Sequence, residues 1–177
     1  IFRLQEEIAQ AITAALEDVL GVQRVSVAAP TQDLEAYQHF LRGRTLFYQR
    51  QNMDQAIDNL QFAVDTDPGF ADAWAYLGLV QDRLGENGRP TIARALDLAP
   101  DSPLAHSLMG HLWLTRDRPD LARPEFIAAR DLDPANPAHL ADVASTYQLE
   151  GDLYSAQAWY QAAVRQAGHH GINLGLA

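Results

Sequence analysis

Residues 103–134 read PLAHSLMGHLWLTRDRPDLARPEFIAARDLDP, and this stretch decides the fold. Met109 and Gly110 are followed by Trp113, then by Ala122, Phe126, Ala129 and the closing Pro134. One period later the same slots hold Val143, Ala144, Tyr147, Ala156, Tyr160 and Ala163, with Gly168 in place of the proline. From Met109 to Val143 the step is 34 residues. Apolar and small residues at three- and four-residue steps on either side of a polar turn predict two helices per copy. A fixed period of this length marks a stacked array, in which no unit buries its apolar face alone.

Two further copies lie upstream. The first, residues 36–70, places Phe40, Phe47, Ala56, Leu60, Ala63 and Pro68 in the same slots. Its Leu–Gly pair is replaced by Gly43–Arg44, so the arginine must snorkel outward or shift the packing. The second, residues 71–102, keeps Trp74, Leu77 and Gly78, and Gln81 replaces the aromatic. Its closing half is short: Pro68 to Pro100 is 32 residues. The loss falls within residues 85–91, where Pro90 suits the first position of a trimmed helix. In the third copy, residues 103–136, Pro119 and Pro124 cannot both stand at a helix start. That helix is expected to begin near Leu121 or to bend at Pro124, because an interior proline costs ~3 kcal/mol. The fourth copy covers residues 137–168. Residues 169–177 read as the start of an incomplete fifth repeat or a tail, with His169–His170 in a loop or frayed end. Leu174 and Ala177 fall on repeat slots with no polar capping helix after them, so the chain is expected to be a piece of a longer array.

Over roughly residues 36–168 this pattern resembles the tetratricopeptide repeat. The resemblance implies an all-α fold, a right-handed α-solenoid of tandem helix–turn–helix repeats, here preceded by one amphipathic helix. It further implies that the first helix of each pair lines a concave groove that receives an extended peptide or a partner's helix. Some co-chaperones of that family grip a C-terminal carboxylate there with lysine, arginine and asparagine. The corresponding positions here include Leu41, Thr45, Tyr76, Leu104 and Leu108, so that clamp is not expected.

In residues 1–20, Ile1, Leu4, Ile8, Ala11, Ile12, Ala15, Leu16 and Val19 recur at helical steps, which predicts an amphipathic helix. Residues 21–35 read as a linker, with a short extended piece suggested by Val22, Val25 and Val27, and with Thr31 or Asp33 capping the next helix. The segments Phe2–Ala9, Pro30–Tyr37 and Leu41–Arg44 resemble the junction between a TolB-like domain and the repeats behind it in bacterial regulators. In those proteins an adenylate/guanylate cyclase or winged-helix module stands upstream. That resemblance implies a bacterial signalling or regulatory parent, cytoplasmic or periplasmic, whose upstream module carries any enzymatic or DNA-binding activity.

Composition narrows the possibilities. The net charge is −10, from 23 acids against 13 bases, and all the bases are arginine. An acidic chain repels phosphate backbones, so direct nucleic-acid binding is not expected. No apolar run approaches the ~20 residues a membrane helix needs, so membrane insertion by this segment is not expected. Cysteine is absent, which removes disulfides and thiolate metal sites. His106 and His111 lie ~140° apart around a helix, too far for a two-histidine ligand face. The pairs Asp65–Asp67, Asp97–Asp101 and Asp131–Asp133 recur with the period and read as solvated turn residues, since no calcium loop surrounds them. No phosphate loop, nucleophile elbow or acid–base pair is recognisable, so neither an enzyme nor a cofactor is expected.

Helical phase assigns the groove face to Tyr48; to Asp72, Tyr76, Leu79 and Asp82; to Leu104, Leu108, His111 and Leu114; and to Asp142, Ser145 and Leu149. Leucines and tyrosines with a few acids suit an amphipathic helix or apolar peptide, because apolar anchors supply most of the affinity. Arginine at Tyr76 or Leu108 is expected to abolish partner binding and spare helicity. Trp74→Ala is expected to cost ~3–5 kcal/mol as a core truncation. The function expected is a protein-interaction scaffold. The alternative is a structural or self-associating module, a homo-oligomer or rigid spacer, that uses the N-terminal helix.

Overall fold

The computed structural model describes residues 30–50 and 52–174, with residues 169–174 described by backbone alone. The expected helix over residues 1–20 and most of the linker lie outside the described residues. The described chain contains eight helices and no strand: α1 Leu34–Gln49, α2 Met53–Thr66, α3 Ala71–Arg83, α4 Arg89–Leu98, α5 Pro103–Thr115, α6 Pro119–Leu132, α7 Pro137–Leu149 and α8 Leu153–Leu174. They pair as α1/α2, α3/α4, α5/α6 and α7/α8. Each pair also packs on the next through α2–α3, α4–α5 and α6–α7. First helices touch one another, α1 to α3, α3 to α5 and α5 to α7, whereas successive second helices do not. First helices therefore crowd the inside of the curve and second helices splay on its outside.

Local chemistry sets the boundaries. The α1 start is fixed by Asp33, whose carboxylate accepts the Ala36 N–H at 2.9 Å. Thr31 accepts the Asp33 N–H and donates to Asp67 across the repeat. Ser102 and Asn136 cap α5 and α7 in the same way, each with proline inside the first turn where a missing N–H costs nothing.

The core is a column of small and large residues shared between repeats. Ala56 and Ala63, Ala122 and Ala129, and Ala156 and Ala163 are all buried on second helices. These alanines let each second helix approach its partner closely. In repeat one the close approach belongs to Gly43, where a Cβ would lie 2.6 Å from Leu60 Cγ. Arg44 in turn lies over the Phe40 ring at 5.3 Å. Trp74 is only half-buried, and its indole N–H donates to the Pro68 carbonyl at 3.0 Å. It is not the fully enclosed residue that the sequence suggested.

Two boundaries depart from expectation. Helix α6 runs unbroken from Pro119 to Leu132 with Pro124 inside it, rather than beginning near Leu121. Pro124 is exposed, and so is Asp120, whose carbonyl it leaves without a partner. Water can satisfy that carbonyl, which makes the proline tolerable. Helix α8 likewise passes through Gly168 and His169–His170 to Leu174. Glycine in place of proline weakens a helix by ~1 kcal/mol but retains the N–H, so it need not end one.

Candidate functional site

The first helices together enclose an open trough of about 690 Å³ on the inside of the curve. Phe47 and Tyr48 come from α1, and Leu79 and Arg83 from α3. Helix α5 supplies Leu104, Ser107, Leu108, His111, Leu114 and Thr115, and α7 supplies Ala138, His139 and Asp142. Asp133 and Asn136 close one end from the α6–α7 turn. Second helices contribute nothing to this lining.

Of the twelve groove residues assigned by helical phase, Tyr48, Leu79, Leu104, Leu108, His111, Leu114 and Asp142 line the trough. Asp72, Tyr76, Asp82, Ser145 and Leu149 do not. Tyr76 is 4% exposed and belongs to the core, with its ring edge-on to Phe40 and Phe47. Its hydroxyl bonds the Tyr48 hydroxyl at 2.7 Å, and burial, then that hydrogen bond, pushes its pKa up. Leu79 and Leu108 line the trough from its floor, since they too are almost fully buried. The expectation that arginine at Tyr76 or Leu108 spares the fold is therefore revised, because both side chains are almost fully enclosed and a longer, charged one must displace its neighbours.

The acids differ in how they are satisfied. Asp82 pairs with Arg116 at 2.7 Å and accepts the Thr115 hydroxyl at 2.9 Å. Asp72 has its pKa raised by burial, with Arg44 opposing. Asp142 is raised by burial as well, opposed by His111, His139 and the Ser107 hydroxyl. The folded pKa of Asp72 exceeds its unfolded one, so the ionised carboxylate disfavours folding at neutral pH. That penalty fades as pH falls through the folded pKa. Asp72→Asn is thus expected to raise the melting temperature at pH 7, with no advantage left near ~pH 4. Thermal melts by circular dichroism at both values check this.

The two paired histidines of α5 take different parts. His106 bonds Glu125 at 2.7 Å and the Pro100 carbonyl at 3.0 Å, tying α5 to α6 and to the turn before it. His111 faces the trough with its ring edge-on to Phe126, 5.0 Å between centroids. Among the described residues, no group of three or more His, Asp or Glu could hold a metal ion.

His139, Asp133, Asn136, Ser107, Thr115, Arg83 and Phe47 were missed by the phase assignment. His139 carried a legible signal. It stands where Ala105 and Ala73 stand in the two preceding repeats, and an imidazole in an alanine column must reach further. It is 6% exposed, its Nδ1 is buried without a hydrogen-bond partner, and its Nε2 lies 3.7 Å from Asp133.

No protein-family model matches the sequence, and no curated protein matches it. Solved structures do. A thermophilic TPR protein of Thermus thermophilus superposes with TM-score 0.69 at 20% identity, over 77% of this chain and 75% of that one. The first TPR of Spaghetti (RPAP3), bound to the HSP90 peptide SRMEEVD, gives 0.57 at 18% identity, over 70% of this chain and 99% of that one. The fold is the TPR solenoid. MamA shares it too, with TM-score 0.63 at 17% identity over 77% of this chain and 80% of that chain. In TPR terms, Trp74, Gly78 and Ala95 of repeat two, or Gly110, Phe126 and Ala129 of repeat three, are packing positions. The trough is what those positions leave open.

Proposed function

We propose that this chain is a protein-interaction scaffold that holds a peptide or partner helix in its concave trough, within a larger bacterial signalling or regulatory protein. One observation carries the reading. The trough is built only from first helices and the turn beside them, and along one continuous cavity it keeps Tyr48 exposed and Leu104 and Leu114 partly exposed above a leucine floor. Tyr48 is 65% exposed at its rim, an amphipathic anchor of the kind that dominates binding energy. The RPAP3 structure, with an HSP90 peptide bound, supports a peptide as the kind of client for this fold. The client differs in kind, because Leu104, Leu108 and Tyr76 replace the cations and amides that would grip a terminal carboxylate.

The test uses residues 1–177 immobilised as bait beside a Leu104→Glu/Leu114→Glu variant shown to be folded by circular dichroism. A client retained by the wild type and lost by the variant is expected. Identical capture by both baits would count against the trough.

A second reading, self-association, draws on the exposed face of α8 in repeat four. Leu153 and Val164 are 66% and 71% exposed and border a second cavity of about 570 Å³ with Tyr160 and Ala156. In the preceding repeat, Phe126 and Arg123 occupy the equivalent slots of Tyr160 and Gln157, and both are covered by α7.

A further inference from the structure

We propose that the trough is polarised by charge and selects a peptide or helix bearing an arginine or lysine at its repeat-four end, beside apolar residues seated on Leu104 and Leu114. This rests on the trough being the binding surface. Three features of the lining support it.

Arg83, lying over the Phe47 ring at 5.5 Å, is the arginine in the lining, and it stands at the end formed by α1 and α3. The opposite end carries Asp133 and Asp142. Between them the floor of α5 is leucine.

The two carboxylates also lack strong cationic partners. Asp82 has Arg116, Asp120 has Arg118, and Asp131 has Arg130, each within 2.7 Å. Asp142 has His111 at 3.5 Å, the Ser107 hydroxyl at 3.4 Å and the charge influence of His139, and among the described residues no arginine. Asp133 has only His139 at 3.7 Å. No arginine reaches either one among the described residues. Arginines of the chain meet Asp82, Asp120 and Asp131, whereas these two half-buried acids, met by none, face a cavity. Burial disfavours the charged form of Asp142, and an arriving cation would offset that cost.

The strongest opposing field is the α7 N-terminus, whose free N–H groups attract anions. Asn136 already accepts the Ala138 N–H at 3.1 Å, and Pro137 has no N–H to offer. The acids therefore set the sign at this end. Helices packed at ~8–10 Å place α7 roughly 16–20 Å from α3. That span equals about 5–6 residues of extended chain or 11–13 of helix, so an acidic residue that far from the basic one would meet Arg83.

A phage-displayed library of random 12-residue peptides, selected on residues 1–177, tests this. Enriched peptides are expected to carry arginine or lysine next to apolar residues. Selection on Asp142→Asn, which keeps the side-chain shape, is expected to lose the basic bias and keep the apolar one. By fluorescence anisotropy, the best wild-type peptide should bind Asp142→Asn about tenfold more weakly. Enrichment of apolar or acidic peptides without basic bias, or equal affinity for Asp142→Asn, overturns the charge inference. The trough reading survives that result if Leu114→Glu, folded by circular dichroism, abolishes binding. No enriched peptide at all, or binding indifferent to both substitutions, overturns the trough reading as well.

Discussion

Phe126→Ala is expected to cost about 4 kcal/mol, because a fully buried aromatic leaves a cavity that rigid helices cannot close. Phe126 fills the space beneath Gly110, where a Cβ would sit 2.5 Å from its ring. It also packs with Ala122 and Val143 in a cluster backed by Trp113, Tyr147 and Trp159, joining repeats three and four. In a solenoid each unit contacts only its neighbours, so the loss concentrates at that junction. A thermal melt should fall by about 8–16 °C and broaden as the last two repeats open first. The consequence reaches the trough, since the His111 ring rests edge-on against Phe126. A loss below ~1 kcal/mol would mean that the junction is not packed as described.

Gly88→Ala is the second large effect, expected at about 3 kcal/mol or more. At Gly88 the backbone is ordinary, with φ −73°, so conformational freedom is not the reason for glycine. Contact is. A Cβ there would lie 1.8 Å from the Gly78 carbonyl oxygen and 3.1 Å from the Asp82 nitrogen. Ala56 and Ala122 occupy the equivalent slot in repeats one and three, and their helices tolerate it. Repeat two is two residues shorter, and α4, at 10 residues, is pressed against α3 backbone to backbone. Gly85→Ala is the control. Nothing lies within 4 Å of a Cβ there, but φ is +85°, so only about 1–2 kcal/mol of backbone strain is expected. Urea denaturation of the two variants should rank Gly88→Ala as the more damaging. The reverse order would deny the close approach of the two helices.

Much of this was legible before any coordinates. The slots of Gly78, Gly110, Ala122 and Phe126 repeat because a solenoid solves the same local packing problem at each step, and local problems leave periodic marks. Pro124 misled because the cost of an interior proline depends on whether the orphaned carbonyl faces water, which spacing does not reveal. Gly168 misled because a weak helix former is not a stop. At the trough, phase placed Leu104, His111 and Leu114 on the open face. It misplaced Tyr76, whose column holds Arg42, Tyr76, Leu108 and Asp142 in successive repeats. The two middle members are sealed by neighbours on either side, while Asp142 lies at the end of the row of contacting first helices. Burial along a solenoid depends on position in the array as well as on phase. His139 and Asp133 could be found only by comparing each residue with its own column.

The trough as the binding surface is tested most directly by photo-crosslinking. A benzophenone amino acid replaces Leu114 inside the trough or, as control, Gln61, exposed on a second helix outside it. Crosslinking to a client at Leu114 and not at Gln61 is the predicted result. Crosslinking at Gln61 with none at Leu114 would contradict the account and place the binding surface on the outside of the curve.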